Sequence, residues 1–528
     1  MRLGIDFGTT RTRVAAAIRG NYPLITFQAG RDEALDWYPS LIATCGDRVA
    51  FGLRAQAVQY DPEWSLFRSF KRLLGDSHQD ATWTVGSVEL PMIEWLTRFL
   101  VALRLDLVRQ SSLEVDPRDR LEVMLGIPAH ANSNQRFLTL EAFRRAGFDV
   151  IGMLNEPSAA GIEYAHRYRR VDLSRRREHV AVYDLGGGTF DAAVICMAEN
   201  RHDVVASEGI SRLGGDDFDA TLLALALADP SLAPRVPAGP PTRLLTLCRE
   251  AKEAITPNSR KIVVDFGQVD PSLGEVMVPV AEFYKRCEPL ILRTLQATEA
   301  AMAAALGRAD SDASGLGVVY LVGGSCELPV LARVLRDRFG KRVRRSPYPS
   351  GATAIGLAIA ADQESGYVLS DRFHRHFGVW RESEGGQRIV FDPIFTKETR
   401  LPRPGEPALV VGRRYRPAHN IGRFRYLECS ALRDQGDPAG DILAWQEILF
   451  PYAPELMTHR NLASVRIQRD PVVASHDVEE VYRCDAAGVV EVTIADQTTG
   501  HARTFRVRGA GEVAGSPAGR NGRTFQGK

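Results

Sequence analysis

Two short turns limit the fold of this chain more than any other feature. One is Asp6-Phe7-Gly8-Thr9-Thr10, directly after the apolar Leu3 and Ile5; the other is Asp184-Leu185-Gly186-Gly187-Gly188-Thr189, directly after Val180, Val182 and Tyr183. Each reads as a strand, then a carboxylate, then glycine, then a hydroxyl. Glycine permits positive φ and close backbone approach, so main-chain N–H groups can face a polyphosphate, and the threonine hydroxyl adds another donor. An aspartate at the strand end suits the water shell of magnesium, which sits between one or two carboxylates and phosphate oxygens. A single D-x-G-T is an ordinary hairpin turn after a buried strand. Three glycines in a row, however, weaken a strand end entropically and ask for a reason. The pair predicts a nucleotide clamped between two lobes.

At 528 residues the chain is too long for one core and fits two to four domains or lobes. Up to about residue 360, β-branched strands alternate with helical stretches, as at residues 121–127 before a helix around 134–146. That is an α/β pattern. A third strand-glycine unit, Val318-Val319-Tyr320-Leu321-Val322-Gly323-Gly324, precedes Pro329 and a helical run over 330–339. It either carries the nucleoside side of the site or is a core strand with a tight turn. From Phe373 to about Arg508 the pattern turns to short strands, at 424–429, 489–494 and 504–508, with Pro, Gly and Asp between them. This predicts an all-β domain. Residues 509–528 lack an amphipathic period and are rich in Gly, Ala, Ser, Arg and Asn, so a disordered tail without a helical lid is expected.

Lys+Arg at 66 against Asp+Glu at 65 gives a net charge of +1, which offers no overall attraction to nucleic acid or anionic lipid. The longest apolar helical stretch, near 222–228, is far short of a membrane span, and a strand begins almost at Met1. A cytoplasmic location is the expectation, with no nucleic-acid or membrane partner. Seven cysteines, odd in number and free of CxxC spacing, argue against both a disulfide framework and zinc.

The three turns, in their order and spacing, join four further strings. These are Phe70-Lys71-Arg72-Leu73-Leu74-Gly75, Gly126-Ile127-Pro128-Ala129, Asn155-Glu156-Pro157-Ser158-Ala159-Ala160 and Leu213-Gly214-Gly215-Asp216-Asp217-Phe218-Asp219. Together they resemble the DnaK-type seventy-kilodalton heat-shock chaperones over residues 1 to about 360. The resemblance implies a two-lobed actin-like α/β ATPase fold over 1–366, a linker at 367–371 and a smaller all-β sandwich domain over 372–508. It implies ATP and ADP as ligands, with Asp6 and Asp184 holding Mg2+ through water. Gly8, Thr9, Thr10, Arg11, Gly186, Gly187, Gly188 and Thr189 would cradle the phosphates. Lys71 would hold the γ-phosphate and the attacking water, with Glu156 and Asp191 completing the polar site. Lys252, Thr256, Gly323, Gly324 and Ser325 would take the nucleoside. Pro128 and Arg136 would belong to the lever toward the neighbouring domain. Read without the family, Lys71 is a solvated helix lysine, Glu156 a helix-start acid, and Asp216, Asp217 and Asp219 helix caps.

Departures from the family pattern matter equally. Ser325-Cys326-Glu327 stands where the family usually has an adenine-stacking arginine, and Glu327 cannot supply that cationic stacking. Arg249 replaces a usual glutamate, and Pro349-Ser350-Gly351 a usual Pro-Asp-Glu. Ser370 interrupts the leucine-rich linker, Trp380 to Arg388 is more charged than the family's first β-domain loop, and Gly152 replaces the arginine contact for J-domain co-chaperones. The resemblance therefore implies an ATP-dependent, monomeric chaperone-like machine for polypeptide clients, served by a J-domain co-chaperone and a nucleotide exchange factor. The alternative is a nucleotide-regulated scaffold for one dedicated partner with little turnover. An actin-like polymer or a sugar kinase would share the phosphate turns but not the NEPSAA and LGGDDFD strings.

Overall fold

The structure is a computed structural model that describes residues 1–506 apart from 31–32, 76–80, 117, 169–177, 199–200, 229–241, 308–315, 385–386, 404, 434–435 and 446. The tail expected at 509–528, and Gly385 and Gly386 of the first β-domain loop, lie outside the described residues.

Two sheets in the first 370 residues share one plan. The first runs in the order Asp149–Asn155, Glu122–Ile127, Arg2–Asp6, Arg11–Ala16, Tyr38–Pro39. The second runs Val343–Arg345, Leu316–Val322, Glu178–Leu185, Phe190–Ala198, Arg201–Ile210, Val368–Ser370. In both, the strand carrying the turn aspartate has a parallel neighbour on one side and an antiparallel hairpin partner on the other. Asp6 lies opposite Arg13, and Asp184 opposite Asp191. Strands covered on both faces read as continuous apolar runs, as Val180, Ala181, Val182 and Tyr183 do, all essentially without exposure.

The turns are fixed by what packs beneath them. Phe7 sits between Asp6 and Gly8, with its ring 6.1, 5.9 and 6.0 Å from those of Phe70, Phe99 and Phe143. Such burial stabilises by about 2–3 kcal/mol and anchors the first turn in its core. Phe143 belongs to the helix Ser133–Arg145, which begins where the Asn132 side chain accepts from Gln135 N at 2.9 Å, the usual chemistry of an N-cap. The helix Ala352–Ala361 is apolar all round and almost wholly buried. Glycine lets it approach so closely: a Cβ on Gly4 would lie 2.2 Å from Ala358 N, and one on Gly356 only 1.8 Å from Ala159 O. Strand Arg2–Asp6, this helix and the helix Glu156–Tyr168 are thereby stacked together.

Beyond residue 371 the chain forms two further sheets. Arg388–Phe395, His376–Ser383, Ile421–Leu432 and Pro438–Ala444 are neighbours in one, with Ile448–Pro451 also paired to Ile421–Leu432. Leu409–Tyr415, Val478–Cys484, Val490–Asp496 and His501–Arg506 form the other. Alternating side chains of both sheets share a core that includes Phe377, Tyr426, Trp445, Tyr482 and Val492. A cluster of charged side chains crosses that core. Arg381 donates to Glu480 Oε2 at 2.8 Å and Oε1 at 3.2 Å, and its Nε to Asp392 Oδ2 at 2.7 Å, while Glu480 has no exposure.

The seam between the α/β and β portions is polar. Arg136 Nη2 donates to Asn155 Oδ1 at 2.7 Å, and Asn155 Nδ2 donates to Asp371. His374 bonds Asn155 at 2.6 Å and also Ser207. Ser133 Oγ donates to Glu428, whose carboxylate lies 3.6 Å from Arg375 Nε. All of Arg136, Asn155, Asp371, His374, Arg375 and Glu428 are buried.

Candidate functional site

The two turns face each other across one cavity. A Cβ on Gly187 would lie 2.7 Å from Thr10 Oγ1, and one on Gly188 only 2.5 Å from Thr9 Oγ1, so only glycine permits this approach. The third unit joins them. Gly323, at φ +87°, has Leu185 O 2.3 Å from the place of a Cβ, and Ser325 Oγ donates to Gly186 O at 2.8 Å. Of the two readings of the third unit, the core strand with a tight turn describes its backbone, and its glycines also line the cavity.

Asp6, Gly8, Thr9, Thr10, Arg11, Lys71, Glu156, Asp184, Gly186, Gly187, Thr189, Lys252, Gly323, Gly324 and Ser325 all line this cavity. Three expected residues do not. Gly188 stands behind the wall against Thr9 and Arg72, and Asp191 lines a neighbouring cavity. Thr256 is exposed beyond the helix Thr242–Glu253, with its hydroxyl 3.0 Å from Ser259 Oγ. The helix thus stops three residues short of Thr256.

Lys71 is not a solvated helix lysine. It lies in a 3-10 turn, Phe70–Leu73, is 4% exposed, and donates to Glu156 Oε1 at 2.7 Å. Burial raises the Asp6 carboxyl above its usual range, while Lys71 and Arg13 pull it down. Burial likewise pushes Glu156 up to about 7 against the pull of Lys71, with Asp6 and Asp191 adding to the rise. Asp184 is raised well above the usual range by burial, then by Glu156, Asp6 and Asp191. Several carboxylates around one lysine leave a surplus of buried negative charge, which fits a divalent cation held by Asp6 and Asp184. Among the described residues no group of three or more His, Cys, Asp or Glu side chains is arranged to hold a metal directly, so a hydrated ion is the form that two carboxylates would suit.

The three aspartates after Gly215 have different work. Asp217 caps, accepting from Gly214 N at 2.8 Å. Asp216 accepts from Arg68 at 3.1 Å and from Ser69 Oγ. Asp219, 1% exposed, pairs with Lys252 at 2.6 Å and stands 3.5 Å from Arg68. Arg72 reaches Asp217 at 3.0 Å. Arg68 and Arg72 therefore tie the segment that carries Lys71 to the helix Gly215–Ala226. Arg13, buried and lining the cavity, and Arg68 were not legible as site residues, because neither stands in a turn or a glycine-rich string. Arg11, which lines the cavity, donates to Glu253 at 2.6 Å and lies 4.5 Å from the Trp37 ring. Arg249 and Glu327 also line the cavity, and burial, with Arg68 and Arg11 nearby, lowers the Arg249 pKa from its ordinary value.

Among families, one described as Hsp70 protein matches residues 105–373. The chain is similar to a chaperone protein HscA homolog of Bordetella petrii, 32% identical over 527 residues that cover 95% of this chain and 77% of that protein. The homolog of Bordetella pertussis is 31% identical over 528 residues, with the same coverage. That of Tolumonas auensis is 30% identical over 426 residues, covering 76% of this chain and 64% of the relative.

Proposed function

This chain belongs to the Hsp70 family and is an ATPase; from that premise we propose that it is an ATP-dependent chaperone whose hydrolysis step gates capture of polypeptide clients by the β portion. The observation that carries the site assignment is the convergence of three glycine turns on the buried Lys71–Glu156 pair. The repeated plan of the two α/β sheets supports a two-lobed actin-like arrangement with the nucleotide between the lobes.

Phosphoryl transfer asks chiefly for positioning and charge stabilisation. The backbone around Gly8, Gly186 and Gly187, with Thr9, Thr10 and Thr189, would hold the phosphates. Lys71 would neutralise charge that develops on the γ-phosphoryl oxygens as water adds to phosphorus and the bond to the ADP oxygen breaks. Glu156, lifted toward neutrality, suits orienting that water and receiving its proton. Magnesium, when bound, supplies neutralisation of the phosphate oxygens, and Asp6 and Asp184 would hold its water shell. Lys252 and Ser325 would face the nucleoside.

A J-domain co-chaperone and a nucleotide exchange factor remain part of the reading, as do a monomeric state and the cytoplasm. Among the described residues no helix is long and apolar enough to cross a membrane. The scaffold alternative draws on one observation: the Arg381–Glu480–Asp392 group places charge between the two β sheets, which suits one dedicated partner better than a range of apolar segments. Steady-state ATPase of the chain and of Lys71→Ala, with and without magnesium and with an unfolded model protein, separates the two. Magnesium-dependent turnover, lost in the variant and altered by the client, is the expected result. Tight nucleotide binding with no turnover and no client effect would establish the scaffold.

A further inference from the structure

The cations that line the nucleotide cavity are paired, with one exception. Arg11 meets Glu253 at 2.6 Å, Arg13 meets Asp36 at 2.8 Å, Lys71 meets Glu156 at 2.7 Å and Lys252 meets Asp219 at 2.6 Å. Arg249 lines the same cavity and, among the described residues, makes neither an ion pair nor a hydrogen bond. Its Nε is covered and unbonded, while its Nη groups, also unbonded, are not covered, and the side chain as a whole keeps partial exposure. The carboxylates whose fields reach it, Glu253 and Asp219, are held by Arg11 and Lys252, and Arg68 and Arg11 add like charge beside it.

An arginine carries donors only and keeps its charge, so placing one partly buried among other arginines without a counter-ion is costly unless a ligand supplies the anion. Its place in the fold indicates which anion. Arg249 lies on the helix Thr242–Glu253, one turn before Lys252, and it also lines a small adjoining cavity together with Thr10 and Arg68. It therefore stands beside the end of the first glycine turn. Resting on the nucleotide reading above, we infer that Arg249 is a phosphate-reading residue of this site: its Nη groups donate to phosphate oxygens of the bound nucleotide, which completes the pairing that the protein leaves open. A contact of this kind is blind to the base, so the affinity it contributes is the same for adenine and guanine nucleotides. The phosphate belongs either to the 5′ chain or to a further phosphate carried on the ribose, and the two present the same oxyanion.

Calorimetry on the full chain tests this with ADP, GDP and the 3′-phosphate derivative of ADP, for the parent, Arg249→Gln and Arg249→Lys. With the 5′ chain as partner, Arg249→Gln weakens ADP and GDP alike by about tenfold or more; with a ribose phosphate as partner, it weakens the derivative alone by that factor. Arg249→Lys keeps the charge and recovers part of the loss. Thermal unfolding of the nucleotide-free chain moves the other way: the midpoint of Arg249→Gln stays level or rises, because an unpaired cation beside Arg11 and Arg68 has been removed. Parent-like affinity of Arg249→Gln for all the ligands overturns the inference, and so does a loss for ADP with GDP untouched. A loss shared in full by Arg249→Lys, together with a lowered unfolding midpoint, marks a structural residue and overturns it too. A parent chain that binds none of these ligands would instead sink the nucleotide reading, and this inference with it.

Discussion

Removing Lys71 should destabilise the protein by an amount that grows with pH. Lys71 and Glu156 are 4% and 7% exposed and 2.7 Å apart, and Lys71 opposes the burial penalty on Asp6, Glu156 and Asp184. The folded-state pKa of Glu156, about 7, is raised above its unfolded value near 4.5. Folding therefore takes up a proton between these values, and stability falls as pH rises through the window. In the parent chain the loss from Glu156 stops near pH 7, where the carboxylate ionises against Lys71. Lys71→Ala removes the partner that holds the pKa down, so the variant keeps losing stability above pH 7 by up to about 1.4 kcal/mol per pH unit. Below pH 7 the substitution costs roughly 1.5–2 kcal/mol, the lower part of the range for a hydrogen bond to a charged group. By pH 9 the deficit approaches about 3–4 kcal/mol, the range for breaking a buried ion pair. Thermal unfolding of the nucleotide-free chain by circular dichroism should show midpoint drops on the order of 2 °C at pH 6 and 6 °C at pH 9. Equal drops at the two pH values would refute the reasoning, because they would mean that Glu156 does not titrate against Lys71. In the same variant, single-turnover hydrolysis should fall by about 10²-fold or more, as loss of a charge-stabilising donor does.

Further outcomes follow from other parts of the molecule. With Glu327 and Arg249 in the lining of the cavity, where the family's adenine-stacking arginine and glutamate are missing, ATP binding should be weak or poorly selective over GTP, and calorimetry with tight binding of ATP alone would remove that expectation. Burial, His130 and Arg136 lower the His374 pKa although Asp371 opposes them, so the folded seam binds fewer protons than the open one. Its stability is full above about pH 6.5 and is lost as pH falls below that, by up to about 1.4 kcal/mol per unit. Fluorescence transfer across the seam should therefore drop between pH 7.5 and 5.5 in the parent and stay flat in His374→Gln. Arg381→Met leaves Glu480 buried without its cation and should destabilise the β portion by about 3–5 kcal/mol, read as a lowered unfolding midpoint of that portion. Phe7→Ala, which empties the pocket formed with Phe70, Phe99 and Phe143, should cost about 3–5 kcal/mol and loosen ATP binding, measured by thermal unfolding and nucleotide titration.

Much of the site was legible because its signals are local. A carboxylate, glycine and hydroxyl within five residues of a strand dictate what the backbone between them can do, and Asp6, Gly8, Thr9, Asp184 and Gly187 duly line one cavity. Thr256 shows the limit of the same reasoning: the helix ends at Glu253, and the chain turns away before Thr256 can face the cavity. Arg68 and Arg13 carried no signal at all, since a lone arginine next to apolar residues reads the same whether its partner is solvent or a buried aspartate.

What the sequence by itself determined is the set of turns, their order along the chain, and the passage from α/β alternation to short strands, for these depend on neighbours a few residues apart. Only the tertiary structure decided that Lys71 meets Glu156 across 85 residues, that Asp219 meets Lys252 and not solvent, and that Asn155 meets Asp371 across 216. The reason is physical. A charged side chain in water is indifferent to distant partners, because solvent screens it and holding it still costs entropy. Once packing strips the water away, an unpaired charge becomes too costly to bury, and the fold must bring a particular partner to meet it.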